Sequence, residues 1–256
     1  MAEHADNPLG YKFSWNPGAA IKASRNISTF MKNGKKVVAP PLKLTEQQDD
    51  FSVSMKLETY PNRDSTVFME RFGMKDCHTF IRGTIRFSGF SAIIAAFHDI
   101  GITSDDIVPP HINTLRQLLD SKLQKVYGIN DSTIEKCTFG MSDFDKDLIR
   151  KIQGKIDLSY LPGMQRPKVI QDIVKTLKFL GFFEEGTIDM TNKSYLDVLS
   201  GVMAKRLALK EHDRDLVIMR HIFRIRDPKK KEEWQHTSTM VASGNSKASG
   251  KHSIMA

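Results

Sequence analysis

Three arginines lie close together in the first third of the chain, at Arg63, Arg82 and Arg86. The guanidinium group is a planar fork of five N–H donors that suits carboxylates and phosphates. Arg82 and Arg86 stand among apolar residues, where an unpaired charge is costly, so the pattern predicts a pocket for an anionic substrate. The alternative is that each arginine forms a structural ion pair with a nearby Asp or Glu. Spacing alone slightly favours that alternative.

The segments around these arginines are predicted to be strands and helices that meet at polar turns. Phe51, Val53, Met55 and Leu57 alternate with polar residues, which indicates one half-buried strand that delivers the turn holding Arg63. A short helix is predicted to begin after Asp64 or Ser65 and to end at Gly73. The run 80–87 predicts a second strand, and 89–100 predicts a helix closed by Gly101.

The remaining pattern alternates between strand and helix signals. Apolar spacing predicts helices over 19–32, 112–126, 169–180 and 196–207, with Thr191 and Asn192 as candidate caps of the last. The run 35–41 predicts a short strand. Residues 215–226 and 232–243 predict a hairpin that rejoins the sheet begun near residue 50. His98 is predicted to lie at a solvent edge, and His221 and His236 to be packing or surface residues.

Charge and cysteine usage restrict the function classes. The net charge of the 256 residues is +8, with 12 Lys and Arg against 6 Asp and Glu from residue 205 onward. Positive charge is densest at the three lysines 229–231, which are typical of a solvated turn. A nucleic-acid surface would need aromatic residues interleaved with the basic ones. No apolar run is long enough to span a membrane. Cys77 and Cys137 lack a ligand or disulfide pattern, which favours reduced thiols in an intracellular protein.

Three motifs carry a resemblance to a known family. They are Tyr60-Pro61-Asn62-Arg63-Asp64-Ser65, Arg82-Gly83-Thr84-Ile85-Arg86 and Asn7-Pro8-Leu9-Gly10-Tyr11-Lys12-Phe13-Ser14-Trp15. Together they resemble the saccharopine dehydrogenase family, which includes the dehydrogenase half of the aminoadipic semialdehyde synthases. In that family the corresponding arginine and Thr-(Leu/Ile)-Arg triplet contact saccharopine, a tricarboxylate. The resemblance therefore implies Arg63, Thr84, Ile85 and Arg86 as substrate contacts, and it leaves the catalytic acid–base group unknown.

The resemblance also implies an architecture and partners. It predicts an α/β (α+β) protein in which 1–104 and 210–256 form a mixed-sheet domain for saccharopine binding and dimerisation. Residues 105–209 are then an all-helical insertion, and saccharopine and a second copy of the chain are the expected partners. Neither nucleic acid nor a membrane is expected, and the location is cytoplasmic or mitochondrial.

The expected cofactor is one that this chain does not bind by itself. No Gly-x-Gly-x-x-Gly follows a predicted strand, so no NAD(P) site is predicted here. Family members carry a Rossmann domain that is missing from this sequence. The resemblance thus implies the substrate-binding part of an enzyme that oxidises saccharopine to glutamate and 2-aminoadipate 6-semialdehyde, or runs the reverse, and that is inactive without its nucleotide domain. The alternative is a non-catalytic binding or dimerisation protein of the same fold.

Overall fold

The computed structural model describes residues 6–13, 16–40, 49–52, 56–123, 143–157, 166–210, 213–227 and 229–244. The helices are α1 (Pro17–Ser24), α2 (Thr66–Arg71), α3 (Phe90–Ile100), α4 (Leu115–Leu123), α5 (Asp143–Gln153), α6 (Arg166–Leu180) and α7 (Tyr195–Arg206). The strands are β1 (Ser28–Lys32), β2 (Lys35–Ala39), β3 (Asp49–Ser52), β4 (Leu57–Pro61), β5 (Gly83–Phe87), β6 (Leu216–Asp227) and β7 (Glu232–Ser243). The α/β class is confirmed.

The strands form three small antiparallel sheets within the described residues. β1 pairs with β2, β3–β4–β5 form a second sheet, and β6 pairs with β7. The predicted hairpin of β6 and β7 is confirmed along its whole length, from Leu216 opposite Ser243 to Asp227 opposite Glu232. The prediction that it rejoins the sheet near residue 50 is wrong for the described strands, among which β6 and β7 pair only with each other.

The helix predicted over 19–32 is only half right. α1 begins early, because the Asn16 side chain accepts hydrogen bonds from the Gly18 and Ala19 N–H groups, and it ends at Ser24. The following residues form β1. Asn33 and Gly34 have φ angles of +53° and +76°, and they reverse the chain between β1 and β2 instead of ending a helix. Asn-Gly is the strongest short hairpin signal, and here it outweighs the helical spacing.

The single strand predicted from residue 51 is also corrected. Ser52 lies opposite Leu57, so β3 and β4 are the two arms of a hairpin. Lys56 has a φ of +53°, which marks the reversal immediately before β4. Val53 and Met55 lie outside the described residues. The consequence is that β4 is the middle strand of its sheet, with β5 on the other side.

One continuous apolar core runs from the N-terminal segment through the helices. It joins Leu9, Tyr11 and Phe90 to fully buried residues of α3, α4, α5, α6 and α7. The helices α2 and α3 end as predicted, at Gly73 and Gly101. The cap of α7 is not Thr191 or Asn192 but Ser194, whose hydroxyl accepts from the Asp197 N–H in a reciprocal capping box. The boundary between a sheet domain and a helical insertion stays a prediction, because this core crosses it.

His98 joins α1 to α3. Its Nε2 lies 2.9 Å from the Ser24 hydroxyl, and its Nδ1 lies 2.6 Å from the Thr103 hydroxyl. The Ser24 hydroxyl also lies 2.6 Å from the Ile21 carbonyl oxygen, so both ring nitrogens of His98 belong to a hydrogen-bonded network. The prediction of a solvent-edge histidine is therefore wrong, and His98 is a half-buried structural group.

His221, His236 and the basic turn lie at the surface, as predicted. His221 and His236 are exposed on the β6–β7 hairpin, where their rings flank that of Phe223. Residues 229–231 are exposed in the turn between the two strands. Across the described segments, no helix has the length and apolar character that crossing a membrane demands.

Candidate functional site

The pairing of β4 with β5 decides which residues of the arginine motifs face together. Tyr60 lies opposite Thr84, and Glu58 lies opposite Arg86. Side chains alternate along a strand, so Thr84 and Arg86 point to one face of the sheet and Ile85 to the other. The structure thus brings together the side chains of Thr84 and Arg86 from the predicted triplet. Ile85 can contribute only backbone atoms to the face that these two side chains share.

Arg86 lies half-buried beside two aromatic rings. Its guanidinium carbon is 5.3 Å from the ring centre of Tyr11 and 5.5 Å from that of Phe90. Its Nη1 donates to the Ile85 carbonyl oxygen at 2.9 Å. Its Nε is buried and has no hydrogen-bond partner. A buried donor without an acceptor is rare in folded proteins, so this nitrogen marks a place where an acceptor is needed.

Glu58 faces Arg86 across the strand pair but is committed elsewhere. One carboxylate oxygen accepts from the Gly89 N–H at 2.8 Å, and the other accepts from the Ser91 N–H at 2.8 Å. Glu58 is only 2% exposed, and these two bonds satisfy the first turn of α3. The carboxylate is therefore an anchor for the helix, and it leaves the charge of Arg86 without a close counter-charge.

Arg63 lies at the far end of the same strand, in the turn that leads to α2. It is exposed, it has a φ of +53°, and its carbonyl accepts from the Thr29 N–H at 2.9 Å. The neighbouring Asp64 turns away from it and accepts from the N–H and hydroxyl of Thr66, at 2.8 and 2.6 Å. These bonds lower the pKa of Asp64. The Asp64 carboxylate is thus engaged with Thr66, and the Arg63 side chain is exposed to solvent.

The separation between Arg63 and Arg86 follows from the strand geometry. The Asn62 N–H donates to the Arg82 carbonyl, so Arg63 stands next to the beginning of β5. Arg86 follows Arg82 by four positions, which corresponds to about 13 Å along the backbone at the usual rise of a strand. The backbones of Arg63 and Arg86 are therefore separated along the sheet, and their long side chains start from opposite ends of β5.

The described residues contain no structural ion pair for the three arginines of the motifs. Within the described segments, no carboxylate lies within 4.0 Å of a side-chain nitrogen of Arg63, Arg82 or Arg86. Arg82 instead stacks over the ring of Phe68, with its guanidinium carbon 3.7 Å from the ring centre. Arg82 therefore has a structural partner, whereas Arg63 and Arg86 have none of opposite charge.

The N-terminal motif holds Tyr11 in place. The Asn7 side chain accepts from the Leu9 N–H at 3.1 Å and donates to the Tyr11 carbonyl at 2.9 Å, around a left-handed Gly10. Lys12 is 5% exposed, and its ammonium lies 2.8 Å from a carboxylate oxygen of Asp213.

The charge state of Lys12 favours these contacts. Burial alone lowers the pKa of Lys12, but the hydrogen bonds to Asp213 and Asp6 outweigh it and raise that pKa. The ammonium thus stays charged and anchors the segment to the chain that enters β6. Ser14 and Trp15, the last two residues of the motif, lie outside the described residues.

A small depression lies on the opposite side of the strand pair. It is lined by Phe30, Lys32, Thr59, Tyr60, Pro61, Ile81 and Gly83. Thr59, Pro61 and Gly83 belong to the face that bears Ile85, so this depression is not the place that Thr84 and Arg86 face. The candidate site is the surface on the Arg86 side.

The turn between β5 and α3 does not fit a dinucleotide. A dinucleotide fold places the pyrophosphate on free N–H groups at a glycine-rich strand-to-helix turn. In the described part of the chain, β5 leads into α3 through Gly89, which is the connection most like that turn. The Glu58 carboxylate already accepts from the Gly89 and Ser91 N–H groups, so these groups are not available to a phosphate.

Local sequence patterns did not reveal several residues of this site. Glu58, Tyr11 and Phe90 surround Arg86 although they come from three separate segments. β4 is buried on both faces, with Leu57, Glu58, Tyr60 and Pro61 all buried, so the alternation used to predict its inward side carries no information there. No signal within a window of a few residues marks Glu58 as a helix anchor.

The fold and the site define a class: an α/β protein with guanidinium groups on a strand pair and in the adjoining turn that no carboxylate of the described residues neutralises, suited to a ligand with several carboxylates. The family model described as "Saccharopine dehydrogenase C-terminal domain" matches residues 1–256. The chain belongs to this family, as its motifs predicted.

Named relatives support the same membership. The chain is 31% identical over 256 residues to the saccharopine dehydrogenase [NADP(+), L-glutamate-forming] of Pyricularia oryzae, covering 99% of this chain and 52% of that protein. It is 28% identical over 248 residues to the alpha-aminoadipic semialdehyde synthase of Arabidopsis thaliana, covering 95% of this chain and 22% of that protein.

A solved structure agrees. The apo histidine-tagged saccharopine dehydrogenase (L-Glu forming) from Saccharomyces cerevisiae superposes with a TM-score of 0.79 at 27% identity, covering 99% of this chain and 52% of that one. The chain thus spans about half the length of the fungal relatives it matches.

Proposed function

We propose that this chain binds saccharopine as the substrate-binding part of a saccharopine dehydrogenase. Arg63 and Arg86 hold carboxylates of the substrate, Thr84 adds a hydrogen bond, and Ile85 contributes backbone. The observation that carries the proposal is the half-buried Arg86, whose Nε lacks an acceptor and whose cross-strand carboxylate neighbour is engaged with α3. The names of the relatives supply the substrate.

The reaction proposed for the complete enzyme is the NADP-dependent oxidation of saccharopine to glutamate and 2-aminoadipate 6-semialdehyde, or the reverse. The relatives named above include enzymes that use NADP(+). The nucleotide is proposed to come from a Rossmann portion on another segment or another chain, because the α3 N-terminus is taken by Glu58. We also propose an intracellular location, cytoplasmic or mitochondrial.

The first expected result concerns saccharopine binding. Arg86→Ala and Arg63→Ala are each expected to weaken binding by about 10- to 150-fold, since a hydrogen bond to a charged group contributes roughly 1.5–3 kcal/mol. The measurement is titration calorimetry of the 256-residue chain with saccharopine. Arg82→Ala is the matched control, because it removes the same charge from the same motif but from a guanidinium that stacks on Phe68.

Three outcomes would contradict the proposal. One is the absence of any saccharopine binding by the parent chain, and another is an equal loss in all three arginine variants. The third is unchanged affinity in Arg86→Ala. Each would favour the alternative, a non-catalytic binding or dimerisation protein that retains the fold.

The β6–β7 hairpin supports a further part of this proposal, namely that two copies of the chain associate. Its two strands are twelve residues each, and most of their residues are exposed. An isolated two-stranded hairpin is marginally stable in water, and large exposed apolar patches mark contact surfaces. One face of it carries Met219, Phe223, Ile225, Trp234 and Met240, which are between 39% and 48% exposed.

A second copy of this chain is the proposed occupant of that face. Two-fold association sets the same surface against itself, which suits a patch of flexible and aromatic side chains without charge. Trp234→Asp and Phe223→Asp are expected to convert a dimer to a monomer in analytical ultracentrifugation. Thr237→Asp is the control, because Thr237 lies opposite Ile222 on the other face. A parent chain that stays monomeric, or a control that dissociates equally, would contradict the proposal.

A further inference from the structure

The guanidinium of Arg86 lies in the angle between two buried aromatic rings. Tyr11 is 2% exposed and Phe90 is 3% exposed. Their ring centres are 5.2 Å apart with the planes tilted by 50°, and the guanidinium carbon is 5.3 and 5.5 Å from them. A cation near aromatic faces is attracted by the ring quadrupole, more strongly where water is excluded. The two rings, called the aromatic clamp below, therefore restrict the orientation of the guanidinium.

Both rings are themselves fixed by polar anchors. Phe90 is the first residue of α3, and the Gly89 and Ser91 N–H groups on either side of it bond the Glu58 carboxylate. Tyr11 is followed by Lys12, whose ammonium is held by Asp213 in a mostly buried ion pair. The clamp is thus attached to two separate segments, and the backbone that carries each ring is held by charge-assisted hydrogen bonds of the adjacent residues.

Arg86 is hydrogen-bonded to neutral groups in the described part of the chain. Burial raises the pKa of the Tyr60 hydroxyl, and the positive charge of Arg86 and a hydrogen bond between the two side chains oppose that rise. Nη1 donates to the Ile85 carbonyl oxygen, and among the described residues Nε has no acceptor. The clamp thus holds a guanidinium that is bonded to neutral groups and not to a carboxylate of the described residues.

We propose that Tyr11 and Phe90 are positioning residues for carboxylate binding: they pre-orient the Arg86 fork so that it accepts a planar carboxylate in two parallel hydrogen bonds. The ligand class is a carboxylate group, and the inference rests on the proposed binding of saccharopine. Neither ring is assigned a contact with substrate. Their contribution is to reduce the rotamer freedom that Arg86 loses when a ligand binds.

A double-mutant cycle tests the inference in the 256-residue chain, with saccharopine titrated by NMR so that millimolar affinities are measurable. Tyr11→Leu is expected to weaken binding by about 3- to 10-fold, in the range of a partly desolvated cation–π contact. Tyr11→Phe keeps the ring and is expected to retain affinity within about twofold. In an Arg86→Ala background, Tyr11→Leu is expected to have no further effect, because the group that it positions is gone.

Phe90→Leu is the second variant, since Tyr11→Leu removes a core ring and can reduce folding. It is expected to show the same loss of affinity and the same dependence on Arg86, and urea midpoints verify folding of each variant. The inference is overturned if the ring variants weaken binding equally with and without Arg86, or if they leave the affinity unchanged. If Arg86→Ala itself leaves saccharopine binding unchanged, the proposed function fails as well, so the two failures are distinguishable.

Discussion

Glu58→Ala is expected to destabilise the chain by about 3–5 kcal/mol in urea unfolding. The substitution removes two hydrogen bonds to a buried carboxylate, each worth roughly 1.5–3 kcal/mol, and it leaves the Gly89 and Ser91 N–H groups without an acceptor. For a chain of this length, such a loss corresponds to a fall of roughly 10 °C in the unfolding midpoint. The substitution changes one side chain, but it removes the hydrogen bonds that connect β4, the middle strand of the sheet, to α3.

Two further variants make the result for Glu58 interpretable. Glu58→Gln keeps the shape and one carbonyl oxygen, so it is expected to lose about half as much stability. Glu70→Ala removes a carboxylate that is 75% exposed and whose ion pair with Lys75 is 3.9 Å long, so it is expected to change stability by less than about 0.5 kcal/mol. Equal stability of Glu58→Ala and the parent chain would show that α3 does not depend on this anchor.

Acidification is expected to destabilise the chain through His98. Burial and the nearby charge of Arg25 lower the pKa of His98 from 6.5 to about 4. The folded-state pKa is therefore below the unfolded value, so the unfolded chain binds the proton more readily between these two values. The contribution of neutral His98 to the free energy of unfolding is complete above pH 6.5 and is lost as the pH falls toward 4. The total loss is about 3 kcal/mol at most.

The measurement is the free energy of unfolding at pH 7, 6, 5 and 4 for the parent and for His98→Gln. The variant is expected to lose less stability than the parent over this range, by up to about 3 kcal/mol. Other groups that titrate in the window, such as Asp99, whose pKa is raised by burial, contribute equally to both proteins and cancel in the difference. His78→Gln, at an exposed position, should follow the parent. Parallel pH profiles for the parent and His98→Gln would refute the assignment.

Local signals predicted the elements that depend on residues near in sequence. α3 ends at Gly101, α2 ends at Gly73, and the β6–β7 hairpin forms over the predicted residues, because these depend on apolar spacing, turn residues and left-handed glycines. The errors occurred where two local signals compete. Residues 19–32 carry helical spacing and a hairpin signal, and the chain resolves the conflict by placing α1 and β1 in succession.

Long-range features were less predictable from patterns. Whether the β6–β7 hairpin joins another sheet depends on which sheet edges are unpaired after folding. The alternation of apolar and polar residues within the two strands does not contain that information. The cap of α7 shows the same limit on a smaller scale. Ser194, Asn192 and Thr191 are all acceptable caps by type, and only the geometry of the capping box selects Ser194.

By itself the sequence determined the α/β class, the family and the identity of the candidate contacts, because the motifs around Arg63 and Arg86 are long and ordered. Only the tertiary structure decided that these arginines are not neutralised by ion pairs in the described residues. The reason is that a charge selects its partner by distance in space. Glu58 reaches Gly89 and Ser91 across more than thirty positions of the chain, Asp64 turns to Thr66, and Arg86 is left beside two aromatic rings.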